Sequence, residues 1–522
     1  VRLLASLLAG LFSLPAVAAP AHTLRLEVLG SHAAGAFDQG AAEIVAHDPA
    51  TQRLFVVNGA TGGLDVLNVA DPSAPVKLFG IDLAAFGGGA NSVAVKNGVV
   101  AAAVEAVEKT APGRVVFFAA NCVDPCAALA SVEVGALPDM LSFTPDGRHV
   151  LVANEGEPNA DYSVDPEGSI SVIDLEHGVA ALRQSDVRTA DFRAFNGVAL
   201  DPAIRVFGPG ATVAQDLEPE YIAVDRGSRK ALVTLQEANA LALVDIRSAR
   251  VERLIPLGFK DHSLPGNGLD PSNQDGGVHI ANWPVEGMYQ PDAIARFSIG
   301  PQDFYLIANE GDTREYDTFV EFARLRSLTL DPVAYPDASA LRDNARLGRL
   351  NITRVGLADP DGDGDIDRIL AFGGRSFSIL DAAGRMIYDS GDWLERIVAE
   401  ALPAHFNANN DDNDSFDSRS DDKGPEPEGV AVARVHGKPY AFIGLERVGG
   451  IAVFDLSNPR RPEFVQYLNP RDFSGDAESG SAGDLGPEGL AVIAAEDSPT
   501  GEPLLAVGNE VSGTTTLYRI AR

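Results

Sequence analysis

Cysteine is almost absent from this chain. The 522 residues contain two, Cys122 and Cys126, which lie within one short loop. In an oxidising compartment, a pair at this spacing is typical of a small disulfide loop. The alternative is a two-ligand metal site, although no histidine lies close by in sequence to complete a zinc set.

Several catalytic signatures are missing as well. The nine histidines are scattered, with no H-x-H or H-E-x-x-H pair, which argues against a His-rich dinuclear zinc centre. The chain has no G-x-S-x-G elbow, no P-loop and no dinucleotide-binding glycine fingerprint. Serine hydrolase, kinase and dehydrogenase activities therefore lose their main support.

Basic residues are scarce. Lys and Arg number 41 against 74 Asp and Glu, for a formal net charge of −33. Nucleic acid is excluded as a partner, because phosphate backbones require clustered positive charge. The excess carboxylates indicate hard cations as partners, and the other interpretation is an acidic surface that aids solubility.

Long apolar runs are confined to the start of the chain. Residues 3–14 are apolar and a run of small residues, 16–19, follows them, which predicts a signal peptide over residues 1–19. No later run approaches the roughly 20 residues that span a bilayer. We expect a periplasmic or secreted protein without a membrane span, and no anchor after the last predicted strand at 515–520.

A repeat is the most informative feature that is present. Each copy has a proline-acid step, an apolar run, a turn, a second apolar run and a glutamate where that run stops. Five copies are Pro138-Asp139 to Asn154-Glu155, Pro219-Glu220 to Gln236-Glu237, Pro291-Asp292 to Asn309-Glu310, Pro427-Glu428 to Leu445-Glu446, and Pro487-Glu488 to Asn509-Glu510. Two weaker copies are Ala42-Glu43 to Val57-Asn58 and Asn91-Ser92 to Val104-Glu105.

Seven such units predict an all-β fold, a seven-bladed β-propeller with long loop and helical insertions. The propeller would occupy residues 20–522 as one domain, with insertions at about 247–290 and 311–424. Helices are predicted within the second insertion, around 339–346 and 393–406. Residues 24–29 could supply the outer strand that closes the ring with the C-terminal strand.

Strands that end at a propeller's central channel place their last side chains on its rim. The repeat therefore predicts a ring of carboxylates that binds cations, since like charges at this density need neutralisation. Its members are Glu155, Glu220, Glu237, Asp292, Glu310, Glu428, Glu446, Glu488 and Glu510. The alternative is that each acid caps a local turn.

A second acidic motif resembles the start of an EF-hand calcium loop. It comprises Asp359, Asp361, Asp363, Asp365 and Asp367 around a glycine at the sixth position. The twelfth position is Leu370 rather than a glutamate, so the loop is either completed from elsewhere or a solvated turn. Residues 407–422 form a third acidic segment, either a metal-bound lid or a flexible linker.

Three basic residues lie within or beside these motifs: Arg375, Lys260 and His262. Arginine in such a place holds a phosphate or carboxylate in a bidentate manner. We assign these three to the catalytic site, where they would hold the substrate, with Arg314, Arg419 and Arg447 as further candidates. The alternative for each is a counter-charge to its acidic neighbours.

Five motifs together resemble the choice-of-anchor I family of exported bacterial proteins. They are Ala153–Asn159, Gly258–His262, Phe372–Ser378, Asp421–Gly429 and Val507–Gly513. The resemblance implies a secreted propeller-type domain that varied C-terminal anchors attach to surfaces. It also implies kinship with atypical alkaline phosphatases and with mesenchyme-specific cell-surface glycoproteins of animals.

Two hypotheses follow. In the first, calcium held by the channel carboxylates serves a phosphoesterase of alkaline-phosphatase type that acts on a small phosphoester. In the second, calcium only stabilises a non-catalytic module that binds a surface glycan or protein. The concentration of acids at inner-strand ends favours the first, and fold-level analogy alone decides neither.

Overall fold

The computed structural model describes residues 24–522. The predicted signal peptide, 1–19, lies outside this range. Strands make up 40% of the fold and helices 6%, which confirms the all-β class.

The strands of the first half are β1 (Arg25–Ala33), β2 (Val45–Asp48), β3 (Arg53–Asn58), β4 (Gly63–Asn68), β5 (Val76–Ile81), β6 (Gly89–Lys96), β7 (Val99–Glu105), β8 (Pro112–Ala119), β9 (Ala130–Ala136), β10 (Pro138–Phe143), β11 (His149–Asn154), β12 (Ser169–Asp174), β13 (Val187–Asp191), β14 (Ile222–Val224), β15 (Lys230–Leu235), β16 (Ala240–Asp245), β17 (Arg250–Pro256), β18 (Phe259–Asp261) and β19 (Glu286–Met288).

The second half contains β20 (Ile294–Ile299), β21 (Gln302–Asn309), β22 (Glu315–Tyr316), β23 (Phe319–Val320), β24 (Phe322–Arg324), β25 (Asn351–Thr353), β26 (Leu370–Ala371), β27 (Ser376–Asp381), β28 (Met386–Asp389), β29 (Pro427–Val435), β30 (Lys438–Leu445), β31 (Ile451–Asp455), β32 (Glu463–Leu468), β33 (Pro487–Ile493), β34 (Leu504–Asn509) and β35 (Thr514–Ala521). The α-helices are α1 (Val213–Asp216), α2 (Ala338–Leu341) and α3 (Trp393–Ala401).

These strands form four-stranded antiparallel sheets, which we number in chain order. Sheets I to IV are β2–β5, β6–β9, β10–β13 and β14–β17, and each follows the chain without a crossover. Sheet V is β20-β21-β27-β28, sheet VI is β29–β32, and sheet VII is β33-β34-β35-β1. In sheet VII, β1 pairs with β35, Leu26 opposite Ile520, which confirms the predicted role of residues 24–29.

The first strands of the sheets lie side by side in a closed order. Strand β2 packs beside β6, β6 beside β10, β10 beside β14, β14 beside β20, β20 beside β29, β29 beside β33, and β33 beside β2. The fold is therefore β-propeller-like. Because each sheet is covered on both faces by its neighbours, the second strands are apolar along their length rather than alternating. In β11, for example, Val150 to Asn154 are all buried.

The two predicted insertions meet in one further sheet. Strands β18 and β19 from the first and β24, β25 and β26 from the second form a five-stranded insertion sheet. Parts of the predicted insertion ranges belong to the repeat itself, since β17 completes sheet IV and β27 and β28 complete sheet V.

Helices α2 and α3 lie where helices were predicted, but both are shorter than predicted. In α3, Leu394, Ile397 and Val398 are buried against sheets V and VI, so its apolar stripe serves packing.

Cys122 and Cys126 form a disulfide, which confirms the first of the two sequence interpretations. Across residues 24–522, none of the helices has the length and apolar character needed to cross a membrane.

Candidate functional site

In sheets III, VI and VII the acid of the proline-acid step lies at a bulge in the first strand, whereas Glu220 and Asp292 lie just before the first strands of sheets IV and V. Pairing register shifts at Asp139, Glu428 and Glu488. A bulge bends the strand and re-aims a side chain. The following glycine permits close approach of the next sheet, because a Cβ on Gly429 would lie 1.7 Å from the carbonyl oxygen of Glu488. The bulges thus direct these carboxylates toward the line where the first strands meet.

In sheets III, V and VII the second acid of the copy follows a buried asparagine. Asn154 Nδ2 donates to Ser171 Oγ at 3.0 Å, and Asn309 Nδ2 donates to Ser378 Oγ at 2.8 Å. Each asparagine thereby joins the end of the second strand to the third. The next residue, Glu155 or Glu310, leaves the sheet at the same end as the bulge acids.

The predicted carboxylates converge in the middle of the fold. Burial raises the pKa of Glu220 well above its usual range, and Glu237, Glu155 and Asp292 raise it further. Burial does the same for Glu428, reinforced by Glu446, Glu310 and Glu488. Carboxylates from sheets III to VII therefore interact electrostatically with one another.

Three of these acids form a compact group, which we call the axial triad: Glu155, Glu220 and Glu237. One carboxylate oxygen from each lies within 4.8 Å of the others. Glu220 is 7% exposed and Glu237 is 4% exposed. In the part of the chain that the structure describes, Glu220 Oε2 and Glu237 Oε2 are buried without a hydrogen-bond partner. Buried charge without a partner is costly, so the triad favours a bound cation.

A second group has the same spacing but different neighbours. Glu310, Glu426 and Glu446 also place carboxylate oxygens within 4.8 Å of one another. Lys423 Nζ lies 2.6 Å from Glu310 Oε1 and 3.4 Å from Glu426 Oε2. We call this group with its ammonium the Lys423 cluster.

Two further cationic side chains contact Glu426. Arg419 Nε donates to it at 2.7 Å and Arg447 Nε at 3.1 Å. Burial alone would raise the pKa of Glu426, but Arg419, Lys423 and Arg447 outweigh burial and lower it. Three cations of the chain thus contact the Lys423 cluster, whereas no salt bridge within residues 24–522 reaches the axial triad and Arg314 acts on Glu237 only at longer range.

Other carboxylates at the centre were not assigned from the sequence. Glu43 and Asp139 occupy the first acid position of their copies of the repeat, and that position is the signal that identifies them. Burial raises the pKa of Glu43 to about 8, aided by Glu510 and Asp139. Burial raises the pKa of Asp139 to about 7, aided by Glu157. A cavity of about 80 Å³ opens beside Asp139, Asp292 and Glu488.

Insertion segments cover the carboxylate end of the fold. Asn410 Nδ2 donates to Glu446 Oε1 at 3.0 Å. Elsewhere, Tyr316 Oη donates to Glu157 Oε1 at 3.0 Å and its ring packs edge-on against Tyr162. The acids of segment 407–422 are partly paired with arginines, as in the 2.6 Å contact between Asp421 and Arg349.

The predicted calcium loop lies beside the insertion sheet. Leu330 bridges to Ile366, which brings Asp331 next to the loop. Carboxylate oxygens of Asp331, Asp365 and Asp367 lie within 4.8 Å of one another, and so do those of Asp359, Asp361 and Asp367. The N–H groups of Gly362 and Gly364 donate to Asp359, so the acids also cap the turn. Asp363 accepts from the backbone of Asp365.

The three predicted substrate-binding residues are buried among internal partners. Arg375 donates to Glu395 Oε1 at 2.6 Å and to three backbone carbonyls. Lys260 Nζ donates to the carbonyls of Gly374 and Gly391 and lies 3.1 Å from Asp389.

His262 Nδ1 lies 2.7 Å from the carbonyl oxygen of Asn267, and burial, together with Lys260, lowers its pKa. The structure does not bring Arg375, Lys260 or His262 into hydrogen-bond contact with the axial triad. Their assignment to substrate stays a prediction.

Comparison with known proteins decides the family. The model of the choice-of-anchor I domain matches residues 43–459. The chain belongs to the choice-of-anchor I family.

Two curated proteins are similar to this family member. Gigasin-3a of Magallana gigas is 33% identical over 194 residues, which are 35% of this chain and 67% of that protein. The mesenchyme-specific cell surface glycoprotein of Strongylocentrotus purpuratus is 27% identical over 296 residues, which are 50% of this chain and 37% of that protein. The chain thus spans little more than a third of the second relative.

Among solved structures, the family member is similar to hydrazine synthase of Kuenenia stuttgartiensis, with a TM-score of 0.46 and 12% identity. The likeness covers 93% of this chain and 97% of that one.

Proposed function

We propose that this choice-of-anchor I protein is an exported seven-bladed β-propeller that binds calcium at the axial triad and serves as a surface binding module. Sheets I to VII are the blades. The observation that carries the proposal is the pair of buried oxygens on Glu220 and Glu237 that have no hydrogen-bond partner within residues 24–522. Carboxylates on this scale of burial require a cation or shared protons.

The chemistry of the triad favours calcium among divalent cations. All three side chains offer oxygen, which suits hard cations rather than zinc or copper. Calcium accepts irregular oxygen geometries, whereas magnesium demands a near-octahedral set and retains waters. Glu155 comes from sheet III and Glu220 and Glu237 from sheet IV, so the ion would join two neighbouring blades.

Family and relatives support an extracellular role. One relative bears the name of a cell surface glycoprotein, and the family's name refers to surface anchors. We infer that the protein works outside the cytoplasm, as the predicted signal peptide also indicates.

Calorimetric titration of chelator-treated protein with CaCl₂ tests the proposal. We expect saturable binding and an increase in melting temperature of about 5 °C or more at a calcium concentration 100 times Kd. MgCl₂ at the same concentration should bind more weakly. Absence of heat and of any thermal shift with either ion would disprove the cation site.

Lys423→Met tests the difference between the two groups of acids. Removing the ammonium leaves buried Glu310 without its ion pair and Glu426 with two cations instead of three, so we expect a loss of about 3–5 kcal/mol in calcium-free buffer. We also expect calcium to restore much of that loss by occupying the Lys423 cluster. Chemical denaturation with and without CaCl₂ measures both effects.

The matched control for Lys423→Met is Lys230→Met, which removes an ammonium from a partly exposed pair with Asp245. It should cost at most about 1 kcal/mol, and calcium should not rescue it. Equal rescue of both variants would show that calcium acts elsewhere.

The calcium loop is a second proposed cation site. We propose that Asp331 substitutes for the missing twelfth-position glutamate of the loop. Asp331→Asn should then remove one bound calcium from the stoichiometry while the axial site remains. An unchanged stoichiometry would leave the loop as a capped turn.

A phosphoesterase is the second candidate function, favoured by the cations next to the central acids. Arg447 is 27% exposed and contacts Glu446 at 3.0 Å. A bound divalent cation would supply Lewis acidity, and Arg447 would hold a phosphate oxygen.

A chromogenic phosphomonoester at alkaline pH tests this candidate. Turnover that chelation abolishes, that calcium restores and that Arg447→Met lowers by about 100-fold would establish it. The exposed Arg183→Met serves as control. If the protein shows no turnover as isolated, after chelation or after calcium is restored, the phosphoesterase is disproved and the surface binding module remains.

A further inference from the structure

A large groove lies at the end of the fold opposite the carboxylates. In each blade the acids stand where the first strand begins and the second strand ends, so the turn between those strands lies at the other end. Turns of sheets IV, V and VI line a groove of about 980 Å³. It is lined by the β14–β15, β20–β21, β27–β28 and β31–β32 turns.

The groove carries positive charge, unlike the chain as a whole. Its lining includes Arg226, Arg229, Lys230, Arg385 and Arg460. The acids in the lining are Asp225, Asp303 and Asp381. Lys230 is already paired with Asp245 and Glu252 outside the lining, so four arginines against three acids leave an excess of one, on a protein whose formal net charge is −33.

The acids of the groove are already engaged by the turns. Asp225 Oδ1 accepts from the backbone N–H groups of Arg229 and Lys230 at 2.6 and 3.1 Å. Asp381 Oδ1 accepts from the N–H groups of Ala383 and Arg385 at 2.8 and 3.1 Å. These oxygens hold the turn conformations, while Asp381 Oδ2 also accepts from Arg385 Nε at 2.9 Å and Asp303 contacts Arg296 at 3.5 Å.

Arg226 connects two of the turns that line the groove. Arg226 donates to the carbonyls of Gly300 and Pro301 at 3.2 and 2.7 Å, and its backbone N–H donates to Asp303 at 3.1 Å. It therefore ties the turn of sheet IV to that of sheet V.

Two other arginines of the lining form no ion pair within residues 24–522. Arg229 and Arg460 are exposed, and neither side chain has a carboxylate within 4.0 Å anywhere in residues 24–522. They lie on sheets IV and VI, with the turns of sheet V between them. Exposed Gln302 and Asn458 add amide donors and acceptors to the same lining.

We propose that this groove binds an acidic polysaccharide, with Arg229 and Arg460 contacting its carboxylate or sulfate groups. Guanidinium matches both anions with paired N–H donors. The amides suit sugar hydroxyls, and the volume suits a short stretch of sugar rings.

Other polyanions fit the groove less well. A membrane presents a flat surface and would not reach a recess between turns. A nucleic acid duplex requires more clustered basic side chains than this groove offers.

Polysaccharide binding at the groove does not require the proposed calcium site. The experiment is therefore designed to measure groove binding in the absence of calcium. Binding of polygalacturonate, dextran sulfate and neutral dextran is measured in buffer with EDTA, so that calcium cannot bridge polymer and protein. We expect the protein to bind at least one of the two acidic polymers and not to bind neutral dextran.

The double variant Arg229→Glu/Arg460→Glu should weaken that binding by more than about 10-fold. Its melting temperature should remain that of the wild type, because both side chains are exposed and unpaired. The charge-matched control Lys109→Glu/Arg183→Glu lies on sheet II and beside sheet III, and should keep wild-type affinity.

Three results would overturn the proposal. One is absence of binding to both acidic polymers, and another is equal weakening by the groove variant and its control, which would reflect net charge alone. The third is binding to phosphatidylserine vesicles with the same arginine dependence and none to the polymers, which would assign the groove to a membrane.

Discussion

Glu220→Gln/Glu237→Gln is expected to weaken calcium binding by more than about 100-fold, because loss of direct ligands exceeds the 10- to 100-fold cost of losing an outer partner. The same variant should be more stable than the wild type in calcium-free buffer at pH 8. Glutamine keeps the shape of glutamate but removes a buried charge, and Oε2 of each glutamate has no hydrogen-bond partner in residues 24–522.

Weaker calcium binding together with higher calcium-free stability would distinguish a cation site from a set of turn caps. If the carboxylates served to cap turns, the variant would be less stable in either buffer. Titration calorimetry and thermal unfolding with and without CaCl₂ measure both quantities.

Glu105→Gln is the matched control for the double variant. Glu105 ends the second strand of sheet II, the position that Glu237 nearly occupies in sheet IV, but it pairs with exposed Lys109 at 3.6 Å. Its replacement should change neither calcium affinity nor calcium-free stability by much. A loss of affinity as large as that of the double variant would contradict the assignment to the axial triad.

The calcium-free protein is expected to lose stability as pH rises from about 5 to 8. Burial raises the pKa of Glu237 to about 8, partly opposed by Arg314. The same cause raises the pKa of Glu43 to about 8 and that of Asp139 to about 7. Between the unfolded value near 4 to 4.5 and these values, the folded state holds more protons than the unfolded state.

The free energy of unfolding therefore falls with pH across that window and levels off above it. We expect a decrease in melting temperature of about 5 °C or more between pH 5 and pH 8. Calcium should remove most of this decrease, because it binds the ionised carboxylates and competes with protons.

Thermal unfolding at several pH values, in EDTA and in excess CaCl₂, checks this pH dependence. Parallel curves in the two buffers would mean that calcium does not bind the titrating acids. A calcium-free protein that grew more stable toward pH 8 would mean that these acids are ionised and paired in the fold.

Much of the blade structure was predictable from local sequence. The apolar runs of sheet IV predicted β14, β15 and β16, because strands covered on both faces are apolar throughout. Residues 24–29 were identified as the closing strand, since the last copy ends with three strands and needs a fourth. The lengths of α2 and α3 were overestimated, because periodicity alone does not mark where tertiary contacts end a helix.

The basic residues were harder to place. Arg375, Lys260 and His262 stood beside acidic motifs in sequence, but in the fold their partners are Glu395, backbone carbonyls and Asp389. Adjacency in the chain does not predict which carboxylate a long side chain reaches. Lys423 was not identified at all, because its partner Glu310 lies 113 residues away in sequence.

The sequence by itself determined the repeat and the positions of the acids at the ends of its hairpins, and it predicted that those acids converge on one axis. Those features depend on local periodicity, which each copy encodes alone. Only the tertiary structure decided which acids are neutralised, because Lys423, Arg419 and Arg447 reach Glu310, Glu426 and Glu446 from an insertion and a neighbouring turn. The state of a buried carboxylate depends on charges within a few ångströms, and here distant parts of the chain supply them to one group and not to the axial triad.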